Sequence, residues 1–282
     1  MLDNYLKICV DVQKKRKRPF YFVDLYCGDG ICECEKPRDK WDGSPLISAK
    51  WAFKSQYPFF CIFNDIDPTK FDNLKINLQN YMDCIKGIFS DDANKIYTNI
   101  LKIIPKNEHS LFFLDPQTHT QLYWTTVKNI SDHTQDDWYG NPFVRRPELL
   151  INLMTYTMQR DYKQNPKYID GFYGNKNWRE TIKECEVKGI PVHIGFLKAY
   201  VTQLQEIYSQ NPFFVEVRQV GRGLKLEKAA TIYYLIFVTS HPKASEIFES
   251  LTKYVDKYRK IKWAKDFFKL KGYSSIEEFC KI

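Results

Sequence analysis

A stretch of apolar, strand-forming side chains covers residues 20–26, and two glycines, Gly28 and Gly30, follow it closely. Asp24 is the only charged residue in this stretch. The pattern predicts a buried strand that ends in a tight turn, because glycine lacks a Cβ, tolerates positive φ and lets backbone approach a ligand. Ligands of open α/β sheets bind beside such turns, at the carboxyl ends of the strands. The third glycine of the dinucleotide fingerprint is missing, so an ordinary loop is the alternative.

The segment between the first two predicted strands begins with a polar loop, residues 32–42. An apolar stretch then runs to Phe53, with Ser44 as the expected N-cap and Pro45 as the first helical residue. A helix N-terminus beside the glycine turn offers unbonded N–H groups and a positive dipole end. It therefore suits the carboxylate of an amino-acid-like ligand.

Acidic residues follow the second predicted strand, residues 59–63. A carboxylate at this position can accept hydrogen bonds from both hydroxyls of a ribose. Asp65 is the first candidate and Asp67 the second. For Asp67, which precedes Pro68, the role of helix N-cap is favoured.

The third and fourth predicted strands, residues 85–89 and 110–114, also end in acids. Asp91 or Asp92 can accept from an adenine amino group, or either can cap the next helix. Asp115, which precedes Pro116, is expected to project over the carboxyl edge of the sheet and to accept a hydrogen bond from an amine. A turn-forming Asp-Pro pair is the alternative.

The rest of the chain continues the alternation of strands and helices. We predict a surface insertion at 131–139, a fifth strand at 148–154, a loop at 165–178, a helix at 194–208, an antiparallel strand pair at 213–220 and 231–240, and a helix from 243 to about 258. The predicted organisation is a helix and basic segment at 1–19, a main domain at 20–251 with an inserted lid around 160–195, and a basic helical tail at 252–282.

Both ends of the chain carry basic runs, residues 14–18 and 253–271, and the net charge is +8. Aromatic rings interrupt the second run, so phosphate contacts and base stacking would let these segments hold nucleic acid. The alternatives are a solvated linker for the first run and an amphipathic closing helix for the second. Nucleic acid is the expected partner, and a partner protein is the other candidate.

The eight cysteines show no disulfide framework, which predicts reduced thiols in a cytoplasmic protein. No apolar run approaches the length of a membrane span, and no signal peptide follows Met1. Cys27, Cys32 and Cys34 lie close together, but their spacing fits no pair of zinc knuckles, so no metal is predicted. His119 lies near the proposed chemistry and is expected to be a turn or surface residue.

The order of glycine turn, acid, acid and Asp-Pro resembles a class I S-adenosylmethionine-dependent methyltransferase. More narrowly, the chain is similar to the three-Cys-motif partner (TcmP) family over about residues 20–251. The matching pieces are Phe22-Val23-Asp24-Leu25 with Gly28 and Gly30, Asp42-Gly43-Ser44-Pro45-Leu46-Ile47, Phe113-Leu114-Asp115-Pro116, Glu148-Leu149-Leu150-Ile151-Asn152, Phe172-Tyr173-Gly174 with Trp178, and Tyr233-Tyr234-Leu235-Ile236-Phe237.

The resemblance implies a Rossmann-like α/β fold, with a mostly parallel seven-stranded sheet, helices on both faces and an antiparallel C-terminal hairpin. It implies S-adenosyl-L-methionine as the cofactor. The residues expected to hold it are Asp24, Tyr26, Cys27, Gly28, Gly30, Ser44, Pro45, Asp65, Ile66, Asp91 and Asp92. The residues expected at the reacting centre are Asp115, Pro116 and Gln117.

One departure from the pattern concerns the substrate. Methyltransferases that act on base amino groups carry Asp/Asn-Pro-Pro followed by an aromatic residue, whereas Gln117 follows Asp115-Pro116 here. Tyr123 or Trp124 is a substitute for the missing ring, although core packing explains both. The leading hypothesis is methylation of an amino group in RNA or DNA. A methyltransferase of a protein or small molecule and a non-catalytic partner protein are the alternatives, and an NAD-dependent dehydrogenase is disfavoured.

Overall fold

The structure is a computed structural model that describes residues 2–33, 40–106, 108–134, 146–207, 214–222, 230–259 and 262–263. The strands of this part are β1 (Phe20–Asp24), β2 (Ile31–Glu33), β3 (Lys40–Asp42), β4 (Phe59–Asn64), β5 (Ile85–Phe89), β6 (His109–Leu114), β7 (Glu148–Leu153), β8 (Phe214–Arg222), β9 (Ala230–Thr239) and β10 (Lys262–Trp263). The helices are α1 (Leu2–Arg16), α2 (Ser44–Ser55), α3 (Pro68–Leu78), α4 (Ala93–Ile103), α5 (Trp124–Ser131), α6 (Thr155–Asp161), α7 (Pro166–Tyr173), α8 (Trp178–Val187), α9 (Val192–Ile207) and α10 (Pro242–Arg259).

The main sheet has the strand order β10-β8-β9-β7-β6-β1-β4-β5 in the described part of the chain. Strands β5, β4, β1, β6 and β7 run parallel, while β9 is antiparallel to both β7 and β8. This mostly parallel sheet with an antiparallel C-terminal hairpin confirms the predicted Rossmann-like fold class. The eighth strand, β10, was not expected; it pairs antiparallel with β8 and forms the edge of the sheet.

Strand β1 lies inside the sheet, between β4 and β6, and all five of its residues are buried. Successive side chains of a strand point to opposite faces. Tyr21 and Val23 accordingly join the core on one face, and Phe20 and Phe22 join the core on the other. A strand that is buried on both faces has a continuous apolar sequence, and this explains why the first strand was recognisable.

Helices cover both faces of the sheet. The core that contains Val23 includes the apolar side of α4, where Ile96 and Ile100 are one turn apart. The core that contains Phe22 includes residues of α1, α2 and α3. Tyr5 of α1 packs its ring 5.2 Å from that of Phe237 on β9, so the N-terminal helix is part of the main fold.

Two local predictions were wrong. The expected loop at 165–178 contains helix α7, whose Ile169, Phe172 and Tyr173 are buried at helical spacing. Part of the expected loop at 32–42 forms the short antiparallel pair β2–β3. The first helix ends at Arg16, within the predicted helix and basic segment at 1–19. The surface insertion expected at 131–139 lies outside the described residues beyond position 134.

The C-terminal tail is described only in part. Helix α10 begins at Pro242 and ends at Arg259, close to the predicted limits. Residues 264–282, which include most of the aromatic-rich basic tail, lie outside the described residues. None of the described helices is long and apolar enough to cross a bilayer.

Candidate functional site

Three carboxylates meet at the carboxyl edge of the sheet, at the ends of adjacent strands. Asp24 is the last residue of β1, Asp65 follows β4, and Asp115 follows β6. Burial raises the pKa of Asp24 to about 7, and the charges of Asp115 and Asp65 add to the rise against the hydrogen bonds that Asp24 accepts. The predicted convergence of the strand-tip acids is therefore present. Such a cluster favours a positively charged group nearby, because a cation would relieve the repulsion between the carboxylates.

The N-terminus of α2 lies against this cluster, although its cap differs from the prediction. Gly43 is the N-cap, Ser44 is the first helical residue and Pro45 the second. The Ser44 hydroxyl donates a hydrogen bond of 2.6 Å to Asp24 Oδ2, and so it holds the acid instead of capping the helix. A glycine is favoured at the cap because a Cβ on Gly43 would lie 3.0 Å from the carbonyl oxygen of Gly30, a tighter contact than most Cβ atoms make.

The glycine turn joins the helix to the acids. Gly43 N–H donates to the Gly30 carbonyl at 2.7 Å, and Gly28 N–H donates to Asp65 Oδ2 at 2.8 Å. Both turn glycines have positive φ, +64° at Gly28 and +86° at Gly30. A Cβ on Gly30 would meet Leu74 Cδ1 at 3.2 Å, whereas a Cβ on Gly28 would meet nothing within 4 Å. Gly30 is thus a packing glycine, and Gly28 leaves space where a ligand can approach the backbone.

The two acids after β4 have different roles. Asp65 is 8% exposed; Oδ2 accepts from Gly28 N–H and Oδ1 accepts from Asp67 N–H at 3.0 Å. Each carboxylate oxygen has a second lone pair for a ligand hydroxyl. Asp67 caps α3 by accepting from Thr69 N–H at 2.9 Å, which confirms the favoured role of Asp67. The next residue after Asp65, Ile66, is 62% exposed at this edge.

The two acids after β5 also differ. Asp92 is the N-cap of α4 and accepts from Asn94 N–H at 2.9 Å. Asp91 is exposed and accepts from Asp92 N–H at 2.7 Å. Because the cap occupies Asp92, Asp91 is the better placed of the pair for a ligand amino group.

Asn64 connects the strand tips and was not identified from the sequence. Its amide nitrogen donates to the carbonyls of Leu25 and Asp91, both at 3.0 Å, and its oxygen accepts from Asp91 N–H at 3.2 Å. This side chain therefore fixes the ends of β1, β4 and β5 relative to one another. A polar residue at the end of an apolar strand was the only signal.

Asn152 of β7 is the second residue that sequence reasoning missed. Its Nδ2 donates a hydrogen bond of 2.5 Å to Asp115 Oδ1. Burial raises the pKa of Asp115, and this hydrogen bond opposes the rise. Asn152 is 8% exposed, and its Oδ1 accepts no hydrogen bond from any described residue. A buried acceptor without a donor is costly, and this oxygen has almost no surface exposed to solvent.

The residues after Asp115 are divided between core and surface. Pro116 is buried, whereas Gln117 is exposed and its N–H donates to Gln121 Oε1 at 2.7 Å. Trp124 packs in the core, where its ring lies 5.4 Å from that of Tyr200, while Tyr123 is exposed. Of the two suggested stacking residues, only Tyr123 is accessible to a base.

His119 begins a turn, one of the two expected places, but it does not lie at the surface. It is 1% exposed, its Nδ1 lies 3.1 Å from Thr157 Oγ1, and its Nε2 lies 3.7 Å from Asp161 Oδ2. Burial lowers the pKa of His119 despite the opposing charge of Asp161. This histidine connects the 3₁₀ turn His119–Gln121 to α6.

The side chains of Tyr26 and Cys27, both expected at the cofactor site, make contacts within the protein. The Tyr26 hydroxyl donates to the Gln121 carbonyl at 2.8 Å. Cys27 is buried in the core beside the turn, and burial raises the pKa of its thiol. Cys34 lies outside the described residues. Within the part that the structure describes, no group of three or more His, Cys, Asp or Glu side chains is arranged to hold a metal ion.

The N-terminal basic run lies near the amino ends of the parallel strands, opposite the carboxyl ends where the acids meet. Arg18 N–H donates to the Gln13 carbonyl at 3.3 Å, and Phe20 N–H at the start of β1 donates to the Pro58 carbonyl, which precedes β4. Residues 14–18 are therefore close to the amino ends of the parallel strands. They are separated from Asp24 and Asp115 by the length of β1.

The chain was compared with known proteins. No protein-family model matches it, and no curated protein matches its sequence. It is similar in structure to protein LPL1258 of Legionella pneumophila str. Philadelphia 1, described as DUF519, with a TM-score of 0.53 and 10% identity over 92% of this chain and 91% of that one. This likeness supports the fold.

Two weaker structural likenesses are to named methyltransferases. One is precorrin-6y C5,15-methyltransferase of Geobacter metallireducens GS-15, with a TM-score of 0.37 and 10% identity over 82% of this chain and 86% of that one. The other is a SAM-dependent O-methyltransferase of Thermotoga maritima, with a TM-score of 0.37 and 10% identity over 83% of this chain and 64% of that one.

Proposed function

We propose that this protein is an S-adenosylmethionine-dependent methyltransferase. The observation that carries the proposal is the convergence of Gly28, Asp65 and Asp24 at one edge of the sheet, with open space where a Gly28 side chain would be. The site combines unobstructed backbone, a carboxylate for a ribose and a buried acid for a cation. These are the groups that a positively charged, adenosine-bearing methyl donor requires.

Each part of this donor has a proposed binding residue in the site. Asp65 would hold the ribose hydroxyls, and Asp91 with the exposed Ile66 would contact the adenine. The first turn of α2, which begins at Ser44, has N–H groups without intrahelical acceptors. These would bind the amino-acid carboxylate, and the ammonium and sulfonium charges would lie near Asp24.

Asp115 and Asn152 would position the group to be methylated. When bound, the donor supplies an electrophilic methyl group, so the protein mainly has to align the nucleophile with it. A primary amine has two N–H groups: Asp115 would accept one and the unoccupied Oδ1 of Asn152 the other. The amine lone pair is thereby directed at the methyl carbon. Asp115 would then accept the proton that the amine releases, since its pKa is raised by burial.

Nucleic acid is the proposed substrate. Three exposed tyrosines, Tyr123, Tyr156 and Tyr168, belong to the elements that follow β6 and β7. Exposed rings of this kind can stack on unpaired bases. Exposed cations accompany them on α6, α7 and the intervening turn, at Arg160, Lys163 and Lys167. The two basic ends of the chain remain proposed contacts, with residues 14–18 reaching a more distant part of a long strand.

The test is transfer of a labelled methyl group to pools of RNA, DNA and protein. We expect incorporation into nucleic acid at a base amino group, identified by digestion and mass spectrometry. The matched control is Asp115→Ala, which should retain cofactor binding and lose incorporation. Absence of incorporation into any pool, by protein that binds the cofactor, would overturn the proposal.

Gln117 supports a second candidate, a methyltransferase of a protein or small molecule. This exposed side chain stands where base-modifying enzymes of the implied type carry a second proline, and Thr118 stands where they carry an aromatic ring. Incorporation into the protein pool alone would favour this candidate. Failure of S-adenosylmethionine to bind would favour a non-catalytic partner protein that retains the fold, and membership of the TcmP family is compatible with each outcome.

A further inference from the structure

A cavity of about 500 Å³ lies at the amino edge of the main sheet. Its lining comes from α1, from the first residues of β6 and β7, from the end of β9 and from α10. Asp115 and Asn152 lie at the other end of β6 and β7, and a six-residue strand is about 20 Å long. The cavity is therefore separate from the candidate methyl-transfer site, and a ligand bound in it would not depend on methyl transfer.

A buried polar network forms the floor of the cavity around Glu148. The Tyr5 hydroxyl donates to Glu148 Oε2 at 2.7 Å, and Thr239 Oγ1 donates to Glu148 Oε1 at 3.1 Å. His109 Nε2 lies 3.1 Å from Glu148 Oε2, and His109 Nδ1 lies 2.5 Å from Gln13 Nε2. Burial would raise the pKa of Glu148, but His109, Tyr5 and Thr239 together hold it below its usual value. The floor is thus a fixed, internally bonded surface.

Apolar side chains form the walls. Ile8 and Val12 contribute from α1, Phe214 from β8, and Ala244 and Ile247 from α10. Small-molecule sites in proteins have volumes of about 300–1,000 Å³ and are lined mainly by apolar groups. The volume and lining suit the hydrocarbon part of a small ligand.

Cations predominate at the mouth. Arg16, the last residue of α1, and Arg18, two residues later, are exposed, and Arg16 Nη2 lies 3.5 Å from His241 Nε2. Arg146 and Lys243 also line the cavity, but Arg146 is paired with Asp132 at 2.7 Å and Lys243 with Glu246 at 2.8 Å. The positive charge of the mouth therefore comes mainly from Arg16 and Arg18. The Glu148 carboxylate already accepts hydrogen bonds from the floor. The mouth therefore favours an anionic group over a cationic one.

We propose that this cavity binds a small amphipathic anion, a hydrocarbon chain that ends in a carboxylate. The chain would lie between Val12 and Ile247, and the carboxylate would lie at the mouth beside Arg16. This assignment follows from the apolar walls, the cationic mouth and the internally bonded polar floor. Together they favour one orientation of the ligand, with its hydrocarbon chain inside and its carboxylate at the mouth.

Calorimetric titration of the full chain with hexanoate, octanoate and decanoate tests the proposal. We expect saturable one-to-one binding whose affinity rises about fourfold for each added CH₂ group, as burial of hydrocarbon requires. Decylamine and decanol should bind at least about tenfold more weakly than decanoate, since the mouth attracts a negative charge. Absence of saturable decanoate binding, or equal binding of decylamine, would overturn the proposal.

Two variants locate the ligand. Arg16→Glu reverses a charge at the mouth and should weaken decanoate binding severalfold. Lys15→Glu makes the same charge change at an exposed neighbour that does not line the cavity, so binding should stay within about twofold at physiological salt. Val12→Trp should fill the cavity and abolish binding in protein with an unchanged circular dichroism spectrum. Equal effects of the two charge reversals, or full binding by folded Val12→Trp, would contradict the assignment.

Discussion

Asn152 Nδ2 donates a hydrogen bond of 2.5 Å to Asp115 Oδ1, across the tips of two adjacent parallel strands. Since a carboxylate only accepts hydrogen bonds, the nitrogen of the amide must face Asp115 and the oxygen must point away from it. The pair consequently contains two acceptor groups, the Asp115 carboxylate and the buried Asn152 Oδ1, which are the proposed contacts of the substrate amine. In the proposed function two acceptors would suit an amine nucleophile, because a hydroxyl has a single hydrogen to donate.

The first prediction concerns this pair. Asp115→Ala should lower the rate of methyl transfer by about 10²–10⁴-fold, the usual contribution of a positioned acid or base. Asn152→Ala should lower the rate less, by about tenfold, because it removes one of two acceptors. The measurement is single-turnover transfer at saturating cofactor.

Asn129→Ala is the control for Asn152→Ala. Asn129 also donates a side-chain hydrogen bond, 2.6 Å to the Tyr97 hydroxyl, but it lies on α5. Its substitution should leave the transfer rate unchanged. Equal rate losses for Asn129→Ala and Asn152→Ala would show that Asn152 has only a structural role.

The second prediction separates backbone strain from ligand contact at Gly28. Gly28 and Gly189 have nearly the same φ, +64° and +66°, and a Cβ at either position would meet nothing within 4 Å. Gly28→Ala and Gly189→Ala should therefore lower the free energy of unfolding by a similar amount, about 1 kcal/mol. Only Gly28→Ala should weaken S-adenosylmethionine binding, measured by calorimetry, because its methyl group enters the proposed ligand space. Equal affinities for the two variants would remove Gly28 from the site.

The third prediction distinguishes the two acids after β4. Asp65→Ala should weaken S-adenosylmethionine binding by at least about tenfold, since it removes the proposed acceptor of both ribose hydroxyls. Asp67→Ala should retain the affinity and lower the free energy of unfolding by about 1 kcal/mol, because Asp67 caps α3. Calorimetric titration and chemical denaturation measure the two effects. The reverse pattern would assign the ribose contact to Asp67.

The fourth prediction is a pH dependence that arises at Asp24. Its pKa is raised to about 7 in the folded protein, mainly by burial, whereas a carboxyl in the unfolded chain titrates near its ordinary value. From about pH 4 to pH 7 the folded protein therefore retains a proton that the unfolded chain has lost. The free energy of unfolding falls as pH rises through this window, by about 1.4 kcal/mol per unit, or about 4 kcal/mol in total, and is level above it.

Asp24→Asn is the variant that reveals this contribution. The difference in unfolding free energy between wild type and Asp24→Asn should decrease from pH 4 to pH 7 and then stay constant. Urea denaturation at intervals of one pH unit measures it. A difference that is constant over this range would mean that Asp24 titrates at its ordinary value.

The strand-tip acids were predictable from the sequence because parallel buried strands are continuous apolar runs, and a polar residue at their ends is conspicuous. Asp65 and Asp115 are examples. The loop prediction for α7 failed because Pro166, Gly171 and Gly174 suggest turns, although Pro166 begins the helix and Gly174 ends it. The helical spacing of the apolar residues Ile169, Phe172 and Tyr173, which are buried in the structure, was the better indication of a helix.

The roles of Asn64 and Asn152 and the presence of the cavity could be identified only from the structure. Asn64 is the last residue of β4 and Asn152 is the last but one of β7, and sequence position alone does not distinguish such an asparagine in a site from one that faces solvent. The cavity combines α1 with β6, β7, β9 and α10, so its residues are brought together by sheet order. Such a site cannot be recognised from the sequence, because its segments are far apart in the chain and each has the pattern of an ordinary amphipathic element.

Calorimetric titration of the wild-type protein with S-adenosylmethionine, with NAD titrated in parallel, shows whether the carboxyl edge of the sheet binds a methyl donor. We expect saturable one-to-one binding of S-adenosylmethionine, and no binding of NAD at the same concentrations. Saturable binding of NAD, or no heat with S-adenosylmethionine from folded protein, would contradict the claim that this sheet edge holds a methyl donor.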